Sequence, residues 1–148
     1  MISIRKYQEN DFLRLCEIHD NARKQELKSA NLEEAFIPLK TASKKEGLFR
    51  DYQVYVAVKE DNVIGFVAFN KEELGWLYVD PIFQHQGIGS KLIDFVVSSP
   101  YKPIYLEVLK GNPAKNLYLK KGFKVIRHEK GQMPGNEKFQ VEVDLMKY

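Results

Sequence analysis

Leu77-Tyr78-Val79-Asp80-Pro81-Ile82-Phe83-Gln84-His85-Gln86-Gly87-Ile88-Gly89-Ser90 passes from an apolar strand through a short loop with two glycines into a helix. The strand, Leu74 to Val79, closes at Asp80-Pro81, because proline has no amide hydrogen with which to continue a ladder. Beyond the loop, Ile88, Leu92, Phe95 and Val96 form an apolar helical stripe. It ends near Ser98-Ser99-Pro100, since the residue before a proline resists helical geometry. Strand, glycine loop and helix in this order present several unpaired amides at the positive end of a helix, a natural seat for a pyrophosphate. Glycine matters there because a side chain would block close approach.

A Gly-x-Gly loop also serves merely to turn a chain into a helix, so its neighbours decide its meaning. The dinucleotide fingerprint requires a third glycine three residues after the second, where this chain has Leu92; the P-loop requires four residues between its glycines, then Lys-Ser/Thr. Neither pattern fits. What the stretch resembles, as Gln84-x-x-Gly87-x-Gly89, is the Gln/Arg-x-x-Gly-x-Gly/Ala signature of the GNAT superfamily of N-acetyltransferases, and Leu77 to Pro81 matches the strand before it. The resemblance continues in Asn112-Pro113-Ala114-Lys115-Asn116-Leu117-Tyr118-Leu119-Lys120-Lys121-Gly122-Phe123, similar to that superfamily's asparagine, helix tyrosine and terminal Gly-Phe. Residues 6 to 50 match only in general pattern, so the choice of acceptor is not inherited from the likeness.

Working outward, Met1 to Arg5 alternates apolar and polar side chains as a first strand. Phe12, Leu15, Cys16, His19 and Ala22 then mark a helix to about Lys28, with Asn10 and Asp11 placed to cap it. A weaker helical stretch covers Leu32 to about Lys45, with Phe36, Leu39 and Ala42 or Ser43 on one face, before Gly47. Tyr52 to Lys59 and Val63 to Asn70 form a hairpin around Glu60-Asp61-Asn62. Ile104 to Leu109 is a strand, and Asn112-Pro113 opens a helix that stops at Lys120-Lys121-Gly122. Phe123 to His128 and Phe139 to Met146 close the sheet, joined by a loop over 130–137.

Element order and resemblance together imply one α/β domain of the α+β type over residues 1–148. Its central sheet is mixed and mostly antiparallel, of six or seven strands, splayed between the fourth and fifth and flanked by about four helices. The length suits one core. With 44% hydrophobic and 29% charged residues, neither a disordered chain nor a coiled coil is expected. A formal charge of +3, with Lys and Arg spread among Asp and Glu, gives no sign of a nucleic acid partner. No stretch has the length of a signal peptide's apolar core or of a membrane span, so a cytoplasmic protein without membrane contact is expected. Cys16 is a lone cysteine on an apolar helix face, read as a small hydrophobe and not as an acyl carrier. No metal is expected.

The resemblance implies acetyl-coenzyme A as co-substrate and an amine as acceptor, reacting directly in a ternary complex, in a monomer or a homodimer. By position, Gln84, His85, Gln86, Gly87, Ile88, Gly89 and Ser90 would seat the diphosphate. Leu77 and Val79 would offer main-chain groups to the pantetheine arm. Tyr118 would protonate the departing thiolate, against the plainer reading of a core tyrosine. Asn112 has two readings, helix cap and coenzyme contact. An alkyl amine, with a pKa of about 10, must lose a proton before attacking. Glu107, a carboxylate in a strand otherwise of Tyr, Leu and Val, is the candidate base, or else a solvated outward side chain. Glu72, Glu73 and Asp80 are candidates to attract a cation, and equally plain surface charge. Trp76, Tyr78, Tyr55 and Phe66 are candidates for an acceptor pocket as well as for the core. His19 and His128 are read as structural. Rival classes are a non-catalytic sensor of acyl-coenzyme A and a nucleotide or phosphate binder using the same loop.

Overall fold

The strand β3 (Asn62–Phe69) explains the layering, because its run Val63 to Phe69 is buried without a break. A strand apolar on both faces is one covered on both faces. Val63, Phe66 and Ala68 pack with Leu15, Ile18, Leu39 and Leu48 on one side; Ile64, Val67 and Phe69 pack with Leu92, Val96 and Tyr118 on the other. The computed structural model, which describes residues 1–148, supplies those covers. On the first face lie α1 (Phe12–Ser29), α2 (Leu39–Lys45) and the single turn α3 (Leu48–Asp51); on the second lie α4 (Ile88–Val97) and α5 (Ala114–Lys120).

Four strands, β1 (Ile2–Lys6), β2 (Gln53–Lys59), β3 and β4 (Leu74–Val79), pair antiparallel in sequence order. Three more, β5 (Tyr105–Leu109), β6 (Lys124–Met133) and β7 (Asn136–Lys147), form a second antiparallel sheet in the order β5-β7-β6. The crossover through α4 sets β5 parallel to β4, and the two touch only at their starts, where Glu73 bridges Tyr105 and the Tyr105 amide donates to Glu72 O at 2.9 Å. From there they diverge, as the expected splay requires.

Three local expectations are corrected. The loop over 130–137 is mostly ladder: Lys130, Gly131 and Gln132 pair with Glu142, Val141 and Gln140, leaving only Pro134-Gly135 as the turn. Met133 drives this, since it buries against Leu27, Ala35 and Val141. The helix over 32–45 is broken. A 3-10 turn at Glu33–Ala35 leads into extended Phe36 and Pro38, and α2 starts only at Leu39. Pro38 accounts for the break, pushing the residue before it out of helical geometry. The carboxylate of Asp11 caps no amide of α1; it accepts from Gln8 N at 2.8 Å and takes both Nη atoms of Arg5.

Candidate active site

At the end of β4 the chain is held by Asp80. Its carboxylate accepts from Ile82 N at 3.0 Å and pairs with Arg14 at 2.6 Å, in a side chain only 6% exposed. Asp80 is thus neither surface charge nor free to meet a cation; it fixes the entry to the loop. Gln84 is likewise occupied, donating to Gln25 Oε1 at 2.9 Å and to Val79 O at 3.3 Å. His85 and Gly87 then take positive φ, +64° and +82°, and α4 begins at Ile88. The side chain of Ile88 is 1% exposed and roots the loop in the core, a contribution of about 2 kcal/mol.

Above that root the main-chain N–H groups of residues 85 to 90 donate to nothing within the chain. They gather at the N-terminus of a helix of ten residues, where partial positive charge collects. A Cβ at Gly87 would meet nothing, because the loop faces open space; a Cβ at Gly89 would come within 3.4 Å of Leu117 on α5. The second glycine therefore lets α4 and α5 approach, while the first supplies the left-handed turn.

The splay exposes main chain as well. Asp80 N donates to Ile64 O, so in the antiparallel pairing of Gly65 with Val79 and Val67 with Leu77 the N–H and C=O of Leu77 and Val79 point away from β3. On β5, Lys110 N donates to Glu142 O, and by the same register the groups of Glu107 and Leu109 point away from β7. Of these groups, Val79 O accepts from Gln84 Nε2 and Leu109 O from Asn112 N, which leaves the four N–H groups and the C=O groups of Leu77 and Glu107 open toward the gap.

A cavity of about 640 Å³ lies in and below this gap, bounded by Leu77, Tyr78 and Trp76 on β4, by Glu107 on β5, and by Asn112 and Tyr118. Tyr118 is 7% exposed, and its hydroxyl makes no hydrogen bond within the chain. Burial raises its phenol well above the usual range, and the Glu26 carboxylate adds to this, so the proton is held at neutral pH. Asn112 does cap α5, with Oδ1 accepting from Ala114 N at 2.9 Å; its Nδ2 also donates to Glu26 Oε2 at 2.7 Å.

Glu26 is the residue that sequence reasoning missed. Beyond Asn112 it pairs with Arg23 at 2.7 Å and accepts from Tyr78 Oη at 3.3 Å, so one carboxylate of α1 ties together β4 and the start of α5. Its signal was periodic: Glu26 stands four residues after Ala22, on the continuation of the apolar stripe, where a charge demands a partner.

Glu107 is exposed yet lines the cavity, and partial burial raises its carboxyl, with Glu129 and Glu73 adding to the rise. Glu73 accepts a hydrogen bond from Tyr52 Oη, while Glu72 is exposed. Trp76 and Tyr78 reach the cavity, whereas Tyr55 and Phe66 are packed into the two cores. Cys16 packs against the α1 side of the core, and burial pushes its thiol up. His19 is buried edge-on to Tyr78 and pushed down by desolvation. His128 pairs with Asp144. No group of three or more His, Cys, Asp or Glu side chains is placed to hold a metal, and no helix is long and apolar enough to cross a membrane.

A glycine loop at a helix mouth, a splayed pair of parallel strands and a tyrosine beside the gap define an acetyltransferase fold of the GNAT type. The family profile described as an acetyltransferase (GNAT) domain matches residues 50–125, just over half the chain, and the chain belongs to that family. It is 27% identical over 137 residues to the uncharacterized N-acetyltransferase YafP of Escherichia coli K12, covering 90% of this chain and 89% of that one. Among solved structures it is similar to a GCN5-related N-acetyltransferase of Rhodopseudomonas palustris (TM-score 0.78, 17% identity, 98% and 93% of the chains). It is similar too to the ribosomal-protein-S18-alanine N-acetyltransferase of E. coli (0.74, 18%, 99% and 92%). A third, the PaiA N-acetyltransferase of Thermoplasma acidophilum, is in complex with coenzyme A (0.69, 22%, 100% and 99%). The protein is therefore an acyltransferase of a family that uses acetyl-coenzyme A.

Proposed function

We propose that the chain moves the acetyl group of acetyl-coenzyme A to a primary amine by direct attack within the splayed gap. The observation that carries this reading is Tyr118, a buried ring whose hydroxyl bonds to no group of the chain and which lines the same cavity as the open edges of β4 and β5. The residues present fit the co-substrate. The free amides of residues 85 to 90 suit a diphosphate, and the outward N–H and C=O of Leu77 and the N–H of Val79 suit the amides of a pantetheine arm. The exposed His85 and Gln86 and the hydroxyl of Ser90 flank that seat, while Gln84 holds it in place. Asn112 acts by capping the helix that carries Tyr118.

In this reading the amine gives its proton to Glu107, directly or through water, and its lone pair forms the C–N bond. Main-chain amides along the open edges polarise the acetyl carbonyl. As the C–S bond breaks, Tyr118 gives its proton to the sulfur, and the proton that the new amide nitrogen sheds returns through water to the Tyr118 oxygen; the raised phenol keeps its proton in place until the thiolate forms.

The test is calorimetry with acetyl-coenzyme A and, separately, ATP. Heat of association with the first and none with the second is expected. In folded Gly87→Val, where a branched side chain meets positive φ and stands in the seat, binding weakens by about tenfold or more. No association with acetyl-coenzyme A at millimolar concentration overturns the reading.

A further inference from the structure

Helix α5 carries Tyr118, and with seven residues it is too short to hold its own place. Where the phenol stands therefore depends on what anchors the two ends of the helix. At the C-terminal end the anchor is apolar: Tyr118 packs edge-on to the buried ring of Phe123, with centroids 5.8 Å apart. At the N-terminal end it is polar and comes from another layer. Asn112 Oδ1 accepts from Ala114 N at 2.9 Å, and Asn112 Nδ2 donates to Glu26 Oε2 at 2.7 Å. Glu26 is fixed in turn, since its Oε1 accepts from Arg23 at 2.7 Å and from Tyr78 Oη at 3.3 Å. The turn before α5 lies directly against the end of α1, where a Cβ at Gly111 would stand 2.8 Å from Ser29 O.

Tyr118 follows Ala114 by one turn on the same face of α5, and both line the cavity. Besides burial, the Glu26 carboxylate raises the Tyr118 phenol, so the two lie within electrostatic reach. Resting on the acetyl-transfer reading above, we infer that Glu26 is a positioning residue for the transfer: through Asn112 it sets the first turn of α5, and so where the Tyr118 hydroxyl stands in the cavity. A carboxylate suits this post because three donors converge on it, from Arg23, Tyr78 and Asn112. A glutamine amide has one accepting oxygen, which the charged Arg23 claims, and its NH2 group then meets Asn112 Nδ2, donor against donor. Glu26→Gln thus cuts the tie to α5 at nearly constant volume. Adding Asn112→Asp restores the tie with its polarity reversed, one carboxylate oxygen accepting from the new amide while the other still caps Ala114.

The experiment follows kcat by free thiol release from acetyl-coenzyme A, with n-butylamine and with water as acceptors, and the Kd for acetyl-coenzyme A by calorimetry. Glu26→Gln is expected to lower kcat about tenfold, the scale of a small misplacement of a reacting group, with Kd unchanged within about twofold. The pair Glu26→Gln with Asn112→Asp recovers most of that loss. Placed on Tyr118→Phe, Glu26→Gln costs no further kcat, the non-additivity of residues that act through one group. Should Glu26→Gln fail to fold, Asn112→Asp alone, which sets a carboxylate against Glu26 Oε2, puts the same question with the same expected outcomes. A full further loss on Tyr118→Phe, no recovery in the paired variant, or unchanged kcat in a folded single variant overturns the positioning role. Thiol release no faster than in buffer, or equal in wild type and Tyr118→Phe, overturns the acetyl-transfer reading beneath it instead.

Discussion

The two sides of the cleft are built by different means. On one, β4, α4, β5 and α5 present main-chain groups: the amides of residues 85 to 90 and the outward edges at Leu77, Val79, Glu107 and Leu109. On the other, α1, the end of α2 and the β6-β7 hairpin present side chains: Glu26, Glu46 and Glu137. Main-chain chemistry depends on local conformation, which glycine and proline dictate within a few residues. Side-chain chemistry depends on which distant segments meet.

Three changes strain that contrast. The largest effect is expected at Tyr118, which with Glu107 supplies the side-chain chemistry of the main-chain side. Tyr118→Phe removes a hydroxyl and keeps the buried ring, so kcat falls by about a hundredfold while the Kd for acetyl-coenzyme A barely moves. Unchanged turnover would remove Tyr118 from the mechanism.

Next comes Glu26→Ala, which removes the carboxylate joining the two sides and strands Arg23, 22% exposed, without its partner. A loss of about 2 kcal/mol in urea unfolding is expected. Full stability would show that α1 and the start of α5 are held together by packing alone.

The smallest effect belongs to Glu46. Burial outweighs the opposing charge of Arg23 and, with Glu137 adding to it, holds this carboxyl above its ordinary value, so the folded chain binds that proton more tightly than the unfolded one. The stability this contributes is complete below the ordinary glutamate value and is lost as pH rises through the raised one. Glu46→Gln is therefore expected to raise Tm by roughly 2 °C near neutral pH, with the gain vanishing around pH 4. A fall in Tm near neutral pH would mean that the carboxylate is compensated by a partner in the fold.

How much was legible follows the same line. The glycine loop, the capping of α5 by Asn112 and the stop at Gly122 were readable because each is a local conformational demand, positive φ at Gly87 and Gly122 among them. Met133 was read as loop because Gly131, Pro134 and Gly135 surround it, yet its burial against Leu27 extends the ladder on both sides. Asp80 looked like a surface charge beside the site, because nothing near it in sequence announces Arg14, its partner from the opposite layer. Glu26 had the faint signal of a charge on an apolar stripe, but its three partners lie on α1, β4 and the turn before α5.

By itself the sequence determined the order of elements, the helix mouth with its free amides and the tyrosine on the last helix, since each follows from the torsional limits of glycine and proline and from hydrophobic spacing over a turn or two. Only the tertiary structure decided that β4 and β5 part, that Glu26 ties β4 to the start of α5 and that Glu46 and Glu137 line one cavity. Those arrangements are long-range, and they depend on which desolvated surfaces fit against each other once the chain has closed on itself.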